Sequence, residues 1–543
     1  MPSFNRKRSG TLDKAIAFLK RHLLAIIVVV VFVAGIIATV MIVNRDEGHD
    51  NGDEGSISIL QPASEVRLAM YEPSSFDPLA SSDEDVVYLN NIIFSYLFRL
   101  DANLNIVPDI VESYIPNRET GSVELILRDG LTFSDGTAMN AYDVEFTIHK
   151  IRNVGPTSPY FNYISKISSV FVTGKNSLFI EFESPENAAL DNLVFPIVSA
   201  DTYNDMVFNI GGGPYKFEDY SEGKTLDLSP NERYYGEVPT VSVHIGIVKN
   251  KDILPGLTTM DDVTAYMSKA SSADDIAIDK SLRCRYIPSG ELEYLGFNCK
   301  NRFLSNSQVR FAISCAIDRD TIIKDDYANS CVVSDSLYYP GFMDVVDESA
   351  IKYDPKKSSE ILASLGYVDT NEDKILEDEF GEPLTLTLIV SRESGNRRDA
   401  ASTIAKNLNS IGINVEVIQL NQEELLTVLE AGSFDMYFVG MKIDKQFNIS
   451  ELFGEANFGK YYNETVMKLV GELEQCLSRE EQKGVFTALK PLLNTDIPYF
   501  SIGYRTYSFV SVPSLAVKEN PTFFDPYRDI QYWAWQKRVS QEE

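Results

Sequence analysis

At 543 residues the chain is longer than one hydrophobic core can serve, so two or more bodies are expected. Its 49 basic and 79 acidic side chains leave a formal net charge of −30. That argues against a nucleic-acid surface, because a phosphate backbone demands a basic face. With 44% hydrophobic and 24% charged residues, most of the chain is expected to fold compactly.

Leu23–Val43 comes first, 21 residues without a charge. At about 1.5 Å per residue it spans a bilayer core of about 30 Å. Arg6, Lys7, Arg8, Lys14, Lys20 and Arg21 precede it, and Asp46, Glu47, Asp50, Asp53 and Glu54 follow. The positive-inside rule then leaves residues 1–22 in the cytoplasm and the bulk of the chain outside. The run is longer than a signal-peptide core and no A-x-A site follows it, so an uncleaved anchor is expected. Residues 44–64 read as an acidic tether.

Beyond the tether, EVRLAMYE (Glu65–Glu72) is a strand and Val86–Leu100 a helical run. Leu125–Asp143 reads as strand, Asp-Gly turn, short strand, second Asp-Gly turn and helix start. Asn140 caps that helix, Ala141–Ile151, and Asp143 suits its positive end. Gly211-Gly212-Gly213-Pro214-Tyr215-Lys216 lacks the Gly-Lys-Ser/Thr ending of a phosphate loop and is a turn feeding a strand.

EYLGFN (Glu293–Asn298) is a strand, and Val309–Arg319 a helix holding Cys315. Asp354-Pro355 starts the next helix, which Leu365-Gly366 ends. Asp369–Asp378 has oxygen ligands at four places of an EF-hand-like loop. Lys374 replaces the turn glycine and Phe380 the bidentate glutamate, so an acidic surface loop is expected. The five cysteines form no CxxC, and the four histidines are not at metal-ligand spacing. No metal or other cofactor is expected; one disulfide is open but unassignable.

Pro383–Asp444 organises the second half. PLTLTLIVS (Pro383–Ser391) alternates as a strand should, and Ala401, Ile404, Ala405, Leu408 and Ile411 follow at helical spacing. Gly412 ends that helix, Asn414–Leu420 is a strand, Glu423–Glu430 a helix and Phe434–Gly440 a strand. This β-α-β-α-β order closes into a parallel sheet with right-handed crossovers. Ligands bind beyond the carboxyl ends of such strands, which points to the loop Met441-Lys442-Ile443-Asp444. Helices at Glu464–Leu477 and Arg479–Leu493 and a strand at Ile497–Phe509 complete the chain.

Five of these segments in this order resemble the oligopeptide- and dipeptide-binding family of ABC-importer solute-binding proteins, over about residues 65–510. They are LRDGLTFSDGTAMNAYDVEFTI, GGGPYKFEDYSEGKTLDLSPNERYYG, YLGFN with VRFAISCAIDRDTII, YDPKKSSEILASLGY and AKNLNSIGINVEV. The resemblance implies an α/β, two-lobe, periplasmic-binding-protein-like (type II) fold, with the transmembrane helix added in front. Lobe I would be residues 65–290, with an extra subdomain at about 84–194. Lobe II would be 291–499, with 500–543 returning to lobe I.

The resemblance also implies a monomer that takes a short peptide or other small solute and hands it to ABC permease subunits. Peptide binders of the family carry Gly-Trp-x-x-Asp, whose aspartate pairs with the peptide ammonium. Here Gly440, Met441 and Asp444 stand at those places. Met441 replaces the tryptophan, and Ile247–Ser281 lacks the family's usual pattern, so the ligand departs further than the fold. Nickel chelates, glycosides or a sensing role are the alternatives. No hydrolase motif is visible.

Overall fold

The computed structural model describes residues 57–539 except 63–64, 185–189, 205–209, 251–252, 261, 270–281, 343–350, 444–446, 448, 455–456, 477 and 519–520. The chain divides into two units, Met1–Ile59 with Arg538–Glu543, and Leu60–Lys537, and the second carries the cores. The apolar run Leu23–Val43 lies outside the described residues. Among the described residues, no helix is long and apolar enough to cross a membrane.

The second unit opens with β1 (Glu65–Tyr71) and α1 (Glu84–Ile93), whose first turn carries Glu84 and Asp85 at the positive end. The helical run ends seven residues earlier than the sequence suggests, at Ile93 rather than Leu100. Arg99 is the reason: it donates to the backbone oxygens of Asn91 (2.6 Å) and Phe94 (2.5 Å) and pairs with Asp109 at 2.7 Å. The end of the helix is thereby satisfied by a side chain. Phe98–Leu100 is freed to pair with Ile106–Pro108.

β2 (Val111–Asn117), β3 (Ser122–Leu127), α2 (Ala141–Val154), β4 (Ile167–Gly174) and β5 (Ser177–Phe182) follow, the strands in the order β2-β3-β5-β4. Asn140 accepts from the Tyr142 N–H at 2.9 Å, and Asp143 accepts from the Asn140 N–H at 2.8 Å, so the expected cap is a full capping box. β6 (Tyr215–Ser221), β7 (Thr225–Pro230) and β8 (Ser242–Val248) join β1 in the order β1-β8-β7-β6. The glycines before β6 serve close packing, since a Cβ on Gly211 would lie 2.0 Å from the Ile93 carbonyl oxygen.

The largest sheet has seven strands. It uses β9 (Ala265–Ser268), β10 (Arg283–Phe297), β11 (Cys331–Val333), β12 (Thr385–Ser391), β13 (Asn414–Leu420), β14 (Met436–Lys442) and β15 (Tyr499–Ser511). Their order is β9-β15-β10-β14-β12-β13, with β11 on β15. β12 is parallel to both β13 and β14, as the β-α-β-α-β reading requires. α5 (Gly395–Asn409) and α6 (Gln422–Ala431) form the crossovers.

Gly412, at φ +89°, turns the chain out of α5 where a side chain would be strained. α3 (Ser307–Ala316) stops short of the expected Arg319, because Asp318 starts a new turn by accepting from the Thr321 N–H at 3.1 Å. α4 (Pro355–Ser364) is capped by Asp354 as expected, and α7 (Glu464–Glu474) and α8 (Arg479–Asp496) lie between β14 and β15. All five cysteines are unpaired, so the disulfide left open by the sequence does not form.

Three large apolar cores result, and β10 and β15 pass through all of them. Ile287, Tyr507 and Phe509 belong to the first, with β1, α1 and β2–β8. Leu295, Phe297, Phe500 and Ile502 belong to the second, with α3 and α5. Leu292, Tyr294 and Tyr504 belong to the third, with α6, α7 and α8. Gly296 on β10 lies against the Tyr437 ring, where an added Cβ would come within 2.1 Å of Cζ. Gly296→Ala is expected to cost about 1–3 kcal/mol of stability by overpacking. Urea denaturation reads this as a lower midpoint at unchanged slope.

Candidate functional site

The paired strands β10 and β15 slip register where they leave the first core. Pro288 pairs with Thr506 and Leu292 with Tyr504, so Arg505 stands opposite Ser289, Gly290 and Glu291. Such a bulge bends the strand that carries it. Just past it lies Glu293, the single acidic or basic side chain in the tract LEYLGF and fully buried.

A carboxylate in that position needs compensation. Arg397, in the first turn of α5, supplies it with two bonds, Nε to Oε2 at 2.8 Å and Nη2 to Oε1 at 3.0 Å. Arg505 adds a contact to Glu293 at 3.8 Å and another to Glu291 at 4.0 Å. Burial works against the Arg397 charge, but the Glu293 carboxylate outweighs it and raises the Arg397 pKa. Asn396 steadies Arg505 by accepting at 3.1 Å, and Arg505 lies over the Tyr327 ring at 5.4 Å.

Tyr507 is two residues beyond Arg505 on β15, so both side chains leave the same face of the strand. Its hydroxyl bonds both carboxylate oxygens of Glu84, each at 3.2 Å, and Lys269 pairs with Glu84 at 3.0 Å. Burial first, and Glu84 next, raise the Tyr507 pKa, and Glu291 and Arg505 also act on it. Carboxylate and guanidinium groups therefore alternate along one face of the crossing strands. Arg397 (24% exposed) and Arg505 (26%) are only partly covered, as are Glu84 (37%) and Glu291 (43%), so the strip presents charge of both signs to solvent.

The carboxyl ends of β12 and β14 open on to this strip. Gly440 pairs with Glu293 and lies beneath Arg397, whose Nη2 would be 1.9 Å from an added Cβ. Met441 and Lys442 are not loop residues as the sequence suggests. β14 runs on through both, paired with Leu292 and Glu291, because β10 offers them antiparallel partners. Met441 packs half-buried against the third core, and Lys442 is exposed. Ile443 is buried and its N–H donates to the Gly290 carbonyl at 2.6 Å. Asp444 lies outside the described residues.

Gly440 and Met441 thus stand at the strip, and Glu293, Arg397, Arg505, Glu84 and Tyr507 are additions that the sequence did not single out. The sequence held two signals for them: a lone acid inside an apolar strand, and the Arg397-Arg398 pair at the start of a helix following a strand. The acidic loop is elsewhere. Its Asp369, Asp373 and Glu377 oxygens converge within 4.8 Å, and they accept from the N–H groups of Glu372 (2.7 Å), Ile375 (2.8 Å) and Thr370 (2.7 Å). Lys374 takes φ +73° where an EF-hand has glycine.

A crossing-strand sheet and a βαβαβ body with a charged strip at its carboxyl edge give the arrangement in which open α/β sheets hold ligands. The sequence profile of bacterial extracellular solute-binding proteins, family 5 (Middle), matches residues 105–456, and the chain belongs to that family. It is 23% identical over 466 residues to the oligopeptide-binding protein AppA of Bacillus subtilis strain 168, covering 80% of this chain and 84% of that one.

The solved structure of B. subtilis AppA in complex with a nonapeptide matches with a TM-score of 0.56 at 22% identity, over 88% of this chain and 100% of the other. NikZ from Campylobacter jejuni in complex with Ni(L-His) matches with a TM-score of 0.60 at 22% identity, over 87% and 100%. These likenesses carry the mixed α/β fold of extracytoplasmic solute-binding proteins, and the relatives are binding proteins rather than enzymes.

Glu293→Gln leaves the two guanidiniums without their buried carboxylate. It is expected to cost about 3–5 kcal/mol of stability, read by calorimetric unfolding. Glu291→Gln, at an exposed partner, is expected to cost less than about 1 kcal/mol in the same measurement.

Proposed function

We propose that this chain is the receptor of an ABC importer, anchored by Leu23–Val43, and that it takes short peptides between two lobes. The observation that carries this reading is the charged strip at the strand bulge, facing the carboxyl ends of β12 and β14. The lobes correspond to the bodies on either side of the bulge, residues 65–290 and 291–499, with 500–543 returning to the first. Closure about β10 and β15 shifts an equilibrium between apart and apposed lobes, and the apposed form is the one a permease recognises.

A zwitterionic peptide suits such a strip. Its carboxylate meets Arg397 and Arg505, and its ammonium meets Asp444, which follows directly on Ile443. The tie from Ile443 to Gly290 supports this placing, since it holds the residue before Asp444 on the crossing strand. Met441 offers an adaptable thioether wall that accepts varied side chains. An amino-acid chelate of nickel carries the same carboxylate, which makes it the second reading.

Titration calorimetry with trialanine, a nonapeptide and nickel–histidine separates these readings. Peptide heat is expected, with Asp444→Asn weakening peptide affinity about tenfold or more while leaving the unfolding transition in place. Unchanged peptide affinity in that variant removes Asp444 from the site. Heat from nickel–histidine alone moves the function to chelate uptake.

A further inference from the structure

Far along the chain from the charged strip, a second buried ion pair joins elements of different cores. Asp191 sits on a short turn, Leu190–Leu193, and both of those leucines belong to the first core. Arg479 opens α8, whose Phe486, Leu489 and Leu493 belong to the third. The two side chains meet at 2.9 Å, and each is only 8% exposed. Arg479 also donates to the Leu104 carbonyl at 3.2 Å and to Gln482 at 2.6 Å, and Gln482 reaches Asp191 at 3.4 Å. Nearby, Arg118 pairs with Glu481 across the same seam.

The guanidinium has apolar neighbours as well. It lies 5.0 Å from the Phe342 ring and 5.2 Å from the Phe447 ring, and those two rings are stacked at 4.3 Å. Phe447 is three residues past Asp444, in the segment that leaves β14. One side chain therefore touches an element of the first core, α8 and the Phe342–Phe447 ring pair together.

We propose that Arg479 is a closure latch, a positioning residue that makes apposition of the lobes conditional on its pairing with Asp191. The inference rests on the two-lobe reading above. The physics is that of a buried pair. Apposed, Asp191 and Arg479 exchange hydration for one another and for surrounding acceptors, so the pair adds little net stability. With one charge removed, apposition strands the other in an apolar seam, and the strained state is relieved by separating the lobes. With both charges removed and replaced by apolar side chains of similar size, nothing is stranded and the seam closes again.

Hydrogen–deuterium exchange of the full-length chain, with no solute added, tests this on Asp191→Asn, Arg479→Met and the double variant Asp191→Leu/Arg479→Met. Each single variant is expected to speed exchange about tenfold or more at residues 100–106, 190–194 and 478–483, with strand β12 unchanged. The double variant is expected to return to near wild-type rates.

Unchanged exchange in the single variants overturns the latch. So does faster exchange spread equally into β12, which marks a merely structural pair, or a double variant as fast as the singles. Because no solute is present, a failure of peptide binding leaves this result standing, and a failure here leaves peptide binding untouched.

Discussion

The buried carboxylate of Glu293 is the constraint on which the rest of this structure depends. It sits on β10 immediately past the bulge, and Arg397 and Arg505 bring their charges from α5 and β15 to meet it. A hydrogen-bonded strand pair alone would tolerate a slipped register at a bulge. The carboxylate does not, because a shift of one residue would point Glu293 into the apolar third core and strand two guanidiniums. The point at which the crossing strands bend is thereby fixed by charge, while the cores on either side are built by ordinary apolar packing.

The end of β14 inherits its position from that fixed point by two contacts. Gly440 has no side chain because Arg397 occupies the space above it. Gly290 has none because a Cβ there would lie 2.3 Å from the Ile443 carbonyl oxygen. Both glycines are demanded by close approach rather than by turn geometry. They place the end of β14, through Ile443, against the bulge itself.

How much of this was legible in the sequence depends on the range of each interaction. The βαβαβ body was readable because its signals are local: alternation in Thr385–Ser391, helical spacing in Ala401–Leu408, a glycine stop at Gly412. The caps at Asn140 and Asp354 were readable for the same reason. The end of α1 was not, because it is set by Arg99 reaching back from a strand to the helix carbonyls. Nor was the extension of β14 through Lys442, which needs β10 as its partner. The candidate site lies at the far limit: Glu293 and Arg397 are 104 residues apart, and nothing local announces that they meet.

The two buried pairs use the same chemistry to opposite effect. Glu293 and Arg397 lie in one body, so their pairing is made once during folding and cannot be exchanged for water without disrupting the sheet. Asp191 and Arg479 lie on elements of different cores, so water competes with the pair whenever those cores part. A buried pair of the first kind sets geometry, and one of the second kind makes apposition conditional on exact partners while adding little to its strength. On the proposed two-lobe reading, such a weak, selective contact suits a closure controlled by solute. Leu104, whose carbonyl accepts from Arg479, itself belongs to the third core, so the surroundings of the pair are apolar and it is the exact matching of one charged couple that makes the contact selective.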